Sequence, residues 1–196
     1  MKARFFSIVV ALFSMALFTN STQRPNEIIY WNSDRKLSLE DFKGEPDFTD
    51  PYIIAMTYSG ILFYTECDGY ELKYDVSSYF DKDESWVKLE ARTDHHLQHE
   101  QLHFDITELY ARKLKERLSE ETFYCGEEER FNRLVDEFLA NWESEQHSYD
   151  LETHYSNKHD EQRAWEAKIT SELAAHDHAH HDHDHAHTHD DFVNGE

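Results

Sequence analysis

Cationic residues are scarce in this chain. Nineteen Lys and Arg stand against 41 Asp and Glu, a formal net charge of -22 over 196 residues. Such a field repels a phosphate backbone, which makes nucleic acid a poor partner. It favours solubility and attracts cations. Cysteine is almost missing. Cys67 and Cys125 are the only two, and they form no C-x-x-C pair. Thiolate metal ligation is therefore poorly supported, and one disulfide is the simplest reading. Apolar runs are short everywhere except at the start, so no membrane span is expected beyond the leader. No repeat of domain scale occurs.

What is present begins with that leader. Lys2 and Arg4 precede an apolar stretch, residues 5–18, broken only by Ser7 and Ser14 and followed by small polar residues. This is the layout of a secretory signal, taken here as residues 1–21. It predicts an exported protein, periplasmic or extracellular. Residues 22–175 then form one domain large enough for a sizeable core.

Residues 52–64 are rich in β-formers, with Ser59 and Gly60 read as a turn or bulge. Residues 70–80 alternate. Leu72, Tyr74, Val76 and Ser78 share one face, and Glu71, Lys73, Asp75 and Ser77 the other, which predicts a half-buried strand. Trp86, Val87 and Leu89 extend the sheet after a turn at 81–84. The period then changes. Residues 94–118 contain neither Gly nor Pro, and Leu102, Ile106, Leu109, Tyr110 and Leu114 recur at helical spacing. A second helix is expected over 127–146, a loop over 147–157 and a third helix over 159–174. Sheet first and helices after argue for an α+β domain with a mainly antiparallel N-terminal sheet.

The segment that carries chemistry is His99-Glu100-Gln101-Leu102-His103, in the first expected helix. On a helix the two His, four apart, stack on one face and reach a single Zn²⁺. Glu100 is placed to take a proton from a zinc-bound water and to return it to a leaving amine. A catalytic zinc needs a third protein ligand and an open position. The segment 147–159 offers His147, Asp150, Glu152, His154 and His159. His154, an imidazole in mid-loop, is the choice, with Asp150 or Glu152 as alternatives. Tyr149 or Tyr155 is placed to stabilise an oxyanion, and Asp105 to orient a ligand imidazole.

At these residues the chain resembles a bacterial family of predicted secreted zinc-dependent proteases, zincin-like in fold. The resemblance rests on Trp31, Asp34, Arg35 and Leu37, then Asp41 and Phe42. It continues through Ala55, Met56 and Thr57, the stretch from His99 to Arg112, and Tyr149, Asp150, Glu152, Thr153, Gln162 and Trp165. It implies a sheet above a zinc helix, His99 and His103 as ligands and Glu100 as general base. It also implies a His about two residues after Thr153, where this chain has Tyr155 preceded by His154. The third ligand thus stays open among His154, Asp150, Glu152, Tyr155 and His159.

The chain ends in a tract, 176–196, that reads as disordered and metal-binding. Eight His (His176, His178, His180, His181, His183, His185, His187 and His189) alternate with Asp and Ala. Two functions follow from the sequence. The first is a zinc metallopeptidase acting on a peptide or protein substrate. The alternative is a non-catalytic zinc-binding or scavenging protein of the cell envelope that uses the tail.

Overall fold

The computed structural model describes residues 26–186, with side chains as far as Asp177. The expected leader and the last residues of the tail, His187 and His189 among them, lie outside the described residues. The fold is α+β, an antiparallel sheet followed by three helices.

The alternating segment becomes β4 (Leu72–Asp81), at the centre of a three-stranded sheet. On one side it pairs with β3 (Ser59–Cys67), Phe63 opposite Val76. On the other it pairs with the short β1 (Ile28–Tyr30), Ile29 opposite Phe80. Leu72, Val76, Ser78 and Phe80 are buried on the face turned to the helices, as the period-two pattern demands. Beyond the turn at 82–85, β2 (Ala55–Met56) pairs with β5 (Trp86–Val87). Two local expectations change. Ser59 and Gly60 are not a turn but the first residues of β3. The Tyr79 ring lies across Gly60, and a Cβ there would sit 2.8 Å from it, so the glycine is needed for close approach. Leu89 leaves the sheet for an exposed 3-10 turn.

The first helix, α1 (Asp94–Ser119), starts at Thr93, whose hydroxyl accepts the His96 N–H. It runs through the middle of the molecule. Phe104, Ala111, Leu114 and Leu118 pack towards the sheet, and Leu102, Ile106 and Leu109 towards the other helices. Each buried Leu, Ile or Phe contributes on the order of 1.5–3 kcal/mol, so α1 is a rigid base for whatever side chains it carries.

The connection to α2 (Glu128–Thr153) is tied to the β3–β4 hairpin by a disulfide, Cys67–Cys125, with Cα atoms 5.5 Å apart. The helix does not stop at Gln146. It takes in most of the segment read as a loop, because no Gly or Pro interrupts it and Tyr149 is wholly buried against α1 and α3. It ends in an unusual way. His154, Tyr155 and Ser156 have φ of 48°, 53° and 69°, three successive left-handed residues that are not glycine. Such backbone costs on the order of 1–2 kcal/mol per residue. The turn is held by Tyr155 N–H donating to Asp150 O (2.8 Å), Lys158 N–H to Thr153 O (2.8 Å) and His95 Nε2–H to Ser156 O (2.5 Å).

The third helix, α3 (His159–Ala186), continues past the expected end at 174, so the tail begins as helix rather than as a disordered segment. Its root is docked on α1. Arg112 donates to Leu173 O and pairs with Asp177, and His176 Nδ1 lies 3.3 Å from Glu116. No helix among the described residues is long and apolar enough to cross a membrane.

Candidate metal centre

Two matched stripes face each other where α1 meets α2. On α1, His99, His103 and Thr107 stand four residues apart. On α2, Trp142, Gln146 and Asp150 do the same. This spacing puts each trio on one face of its helix. The helices run antiparallel, so Asp150 meets both His, Gln146 meets His103 and Thr107, and Trp142 meets Thr107.

At one end of this ladder three donor atoms converge. Asp150 Oδ1 lies 3.2 Å from His99 Nε2 and 3.0 Å from His103 Nε2, and the two nitrogens are 3.3 Å apart. His99, His103 and Asp150 form a group able to hold one metal ion. Neighbouring residues fix the imidazoles. The His103 carbonyl accepts from the Gln146 amide nitrogen at 2.9 Å, so the Gln146 amide oxygen is the atom facing the imidazole, 2.6 Å from Nδ1. An amide oxygen only accepts. His103 therefore carries its proton on Nδ1, and Nε2 is the atom offered to the triad. Thr107 keeps Gln146 in place, accepting from its amide nitrogen at 3.0 Å and from Trp142 Nε1–H at 3.1 Å. His99 is held by stacking on Tyr149, with centroids 4.5 Å apart, and its buried Nδ1 has no hydrogen-bond partner.

The charges are set by proximity. Burial alone would depress His103, but the Asp150 carboxylate more than reverses this and raises it to about 9. Burial would raise Asp150, yet hydrogen bonds from His103 and His99 hold its carboxyl well below the usual carboxylate range.

Above the triad is a cavity of about 390 Å³, lined by both His, Asp150 and Glu100 and walled by residues 52–57, Trp142, Glu143 and Tyr155. Glu100 is 5% exposed. Its backbone carbonyl accepts from the Thr57 hydroxyl at 3.2 Å, but its carboxylate meets no hydrogen-bonding side chain among the described residues.

The structure thus brings together His99, Glu100 and His103 and adds Asp150 as the third member of the group. The sequence choice, His154, is not there. It would continue the 142–146–150 stripe, but the left-handed turn starts at His154 and carries its side chain out to solvent. Glu152 accepts from Trp165 Nε1–H, and His159 stacks on His95. Tyr155 reaches the cavity wall. Tyr149 does not, being buried with its hydroxyl directed at His99 O (3.4 Å). Asp105 touches no ligand imidazole. It accepts from Trp31 Nε1–H and Gln101 and pairs with Lys36, fastening the N-terminal segment to α1. Gln146, Thr107 and Trp142 were missed. Their signal was the four-residue spacing, visible only once α2 is known to continue past Gln146.

The family described as a bacterial protein of unknown function (DUF922) matches residues 80–159, a stretch that contains Glu100, Gln146 and all three members of the triad. Comparisons with curated proteins and with solved structures give no match.

Proposed function

We propose that this chain is an exported zinc-dependent peptidase with a zincin-like arrangement of its HExxH helix. One observation carries the reading. Two imidazole nitrogens and a carboxylate oxygen stand 3.0–3.3 Å from one another at the floor of a cavity. Zinc bonds of about 2.0–2.2 Å in a tetrahedron put neighbouring ligand atoms about 3.3–3.6 Å apart, so the three atoms need to open by only a few tenths of an ångström, and three protein ligands with one open position are the pattern of catalytic zinc.

His99, His103 and Asp150 would hold the ion, and zinc bound there supplies a Lewis acid that polarises the scissile carbonyl and acidifies water. Glu100 is the one buried carboxylate among the described residues that line the cavity. It takes the proton of the attacking water and delivers it to the leaving amine. Gln146 and Thr107 keep the His103 lone pair aimed at the ion. Tyr155 offers a hydroxyl to the developing oxyanion. β2 pairs only with β5 among the described residues, so an extended peptide can lie along its other edge.

The test is Glu100→Gln in the zinc-loaded protein. It keeps the metal and loses peptide hydrolysis. Hydrolysis retained at the wild-type rate sinks the mechanism. The scavenging alternative draws on the eight tail His, and it predicts several metals per chain, no hydrolysis, and uptake lost when residues 176–189 are deleted.

A further inference from the structure

Apart from its imidazoles, the charged side chains lining the cavity above the triad are all acidic among the described residues. Among the described residues that line it, Glu100, Glu143 and Asp150 are acidic, and none is Lys or Arg. Asp150 is engaged by the two His, and Glu100 is buried and unpartnered. Glu143 differs from both. It lies on α2 beside the 142–146–150 stripe, at the exposed rim, and forms no ion pair among the described residues. The facing wall is apolar, formed by Ile53, Ile54, Ala55 and Met56.

We infer that the ligand of this cavity is an internal segment of polypeptide bearing a basic side chain, its cationic head against Glu143 and an apolar neighbour against Ile54 and Met56. The inference rests on the peptidase reading and names its substrate class. Glu100 lines the cavity with no side-chain hydrogen bond to its carboxylate among the described residues, which favours a ligand with hydrogen-bond donors. At the rim, outside the metal group, an acidic side chain would face Glu143 with no Lys or Arg lining the cavity to compensate. No Lys or Arg lines the cavity to clamp a terminal carboxylate beside the ion, so the segment is internal rather than a free C-terminus.

Binding separates this from catalysis. Glu100→Gln protein with one equivalent of zinc is titrated against three fluorescent ten-residue peptides, identical except for a central Lys, Gln or Glu, and anisotropy is read. The Lys peptide binds about tenfold more tightly than the Glu peptide. Adding Glu143→Gln weakens Lys-peptide binding about fivefold, and Glu143→Lys reverses the order. Glu129→Lys changes the net charge equally but stands about 21 Å away along α2, beyond the screening length of about 8 Å, and leaves the order intact. Equal affinities, or a Lys preference insensitive to Glu143, overturn the inference. Wild-type protein hydrolysing all three peptides alike would leave the peptidase reading standing without it. Charge-selective binding that depends on Glu143, with no hydrolysis by the wild type, would support the cation preference and remove the peptidase reading.

Discussion

A proton and a metal ion compete for one atom, His103 Nε2. In the metal-free chain that nitrogen donates to Asp150, which raises His103 to about 9 from an ordinary 6.5. Any cation entering the triad must expel this proton. Each pH unit below 9 costs about 1.4 kcal/mol, so at pH 7 the penalty is about 3 kcal/mol, roughly a hundredfold in apparent affinity. Stability moves the other way. A raised His contributes fully below pH 6.5 and loses its contribution as pH rises towards 9, whereas the depressed Asp150 contributes above its ordinary 3.8 and is lost only in strong acid. The metal-free fold is therefore most stable between about pH 4 and 6.5. Its zinc-induced rise in Tm grows from there to pH 9. The assay is competitive zinc titration of a chain whose histidines from 178 to 189 are replaced by asparagine, with calorimetry in two buffers of different ionisation enthalpy. The expected outcome is an affinity that climbs about one decade per pH unit up to pH 9, with one proton released per zinc at pH 7. A flat affinity across that window, or no proton release, refutes the reasoning.

Three further outcomes are expected. Asp150→Ala removes tight zinc binding while His154→Ala leaves it unchanged, which equilibrium dialysis against the tail-substituted chain decides. Gln146→Ala frees the His103 ring and lowers zinc affinity about 10–100-fold, measurable by chelator competition, with the circular dichroism of the fold preserved. Thr107→Val keeps the shape but leaves the half-buried Gln146 and Trp142 donors short of an acceptor, a loss of about 1 kcal/mol that thermal unfolding registers as a lower Tm.

The strand 72–81 and the helix from Asp94 were legible because each has a strong period and each buries one face or core stripe. The turn or bulge expected at Ser59 and Gly60 is the start of a strand, because what Gly60 accommodates is the Tyr79 ring on the neighbouring strand, a contact absent from local sequence. The loop expected over 147–157 looked polar and turn-like. Its first seven residues are helix, since Tyr149 finds a buried place between α1 and α3 and Asp150 finds two imidazoles.

By itself the sequence determined the α+β order, the disulfide partners and the pairing of His99 with His103, since each depends on composition or on spacing within one element. The third member of the triad was a matter for tertiary structure alone. Asp150 and His154 lie one and two four-residue steps beyond Gln146, and the end of α2, locked by His95 from another helix, decides which of them faces α1. The charge state of His103 is likewise tertiary, because the carboxylate that raises it comes from 47 residues away and reaches it only when the two helices pack.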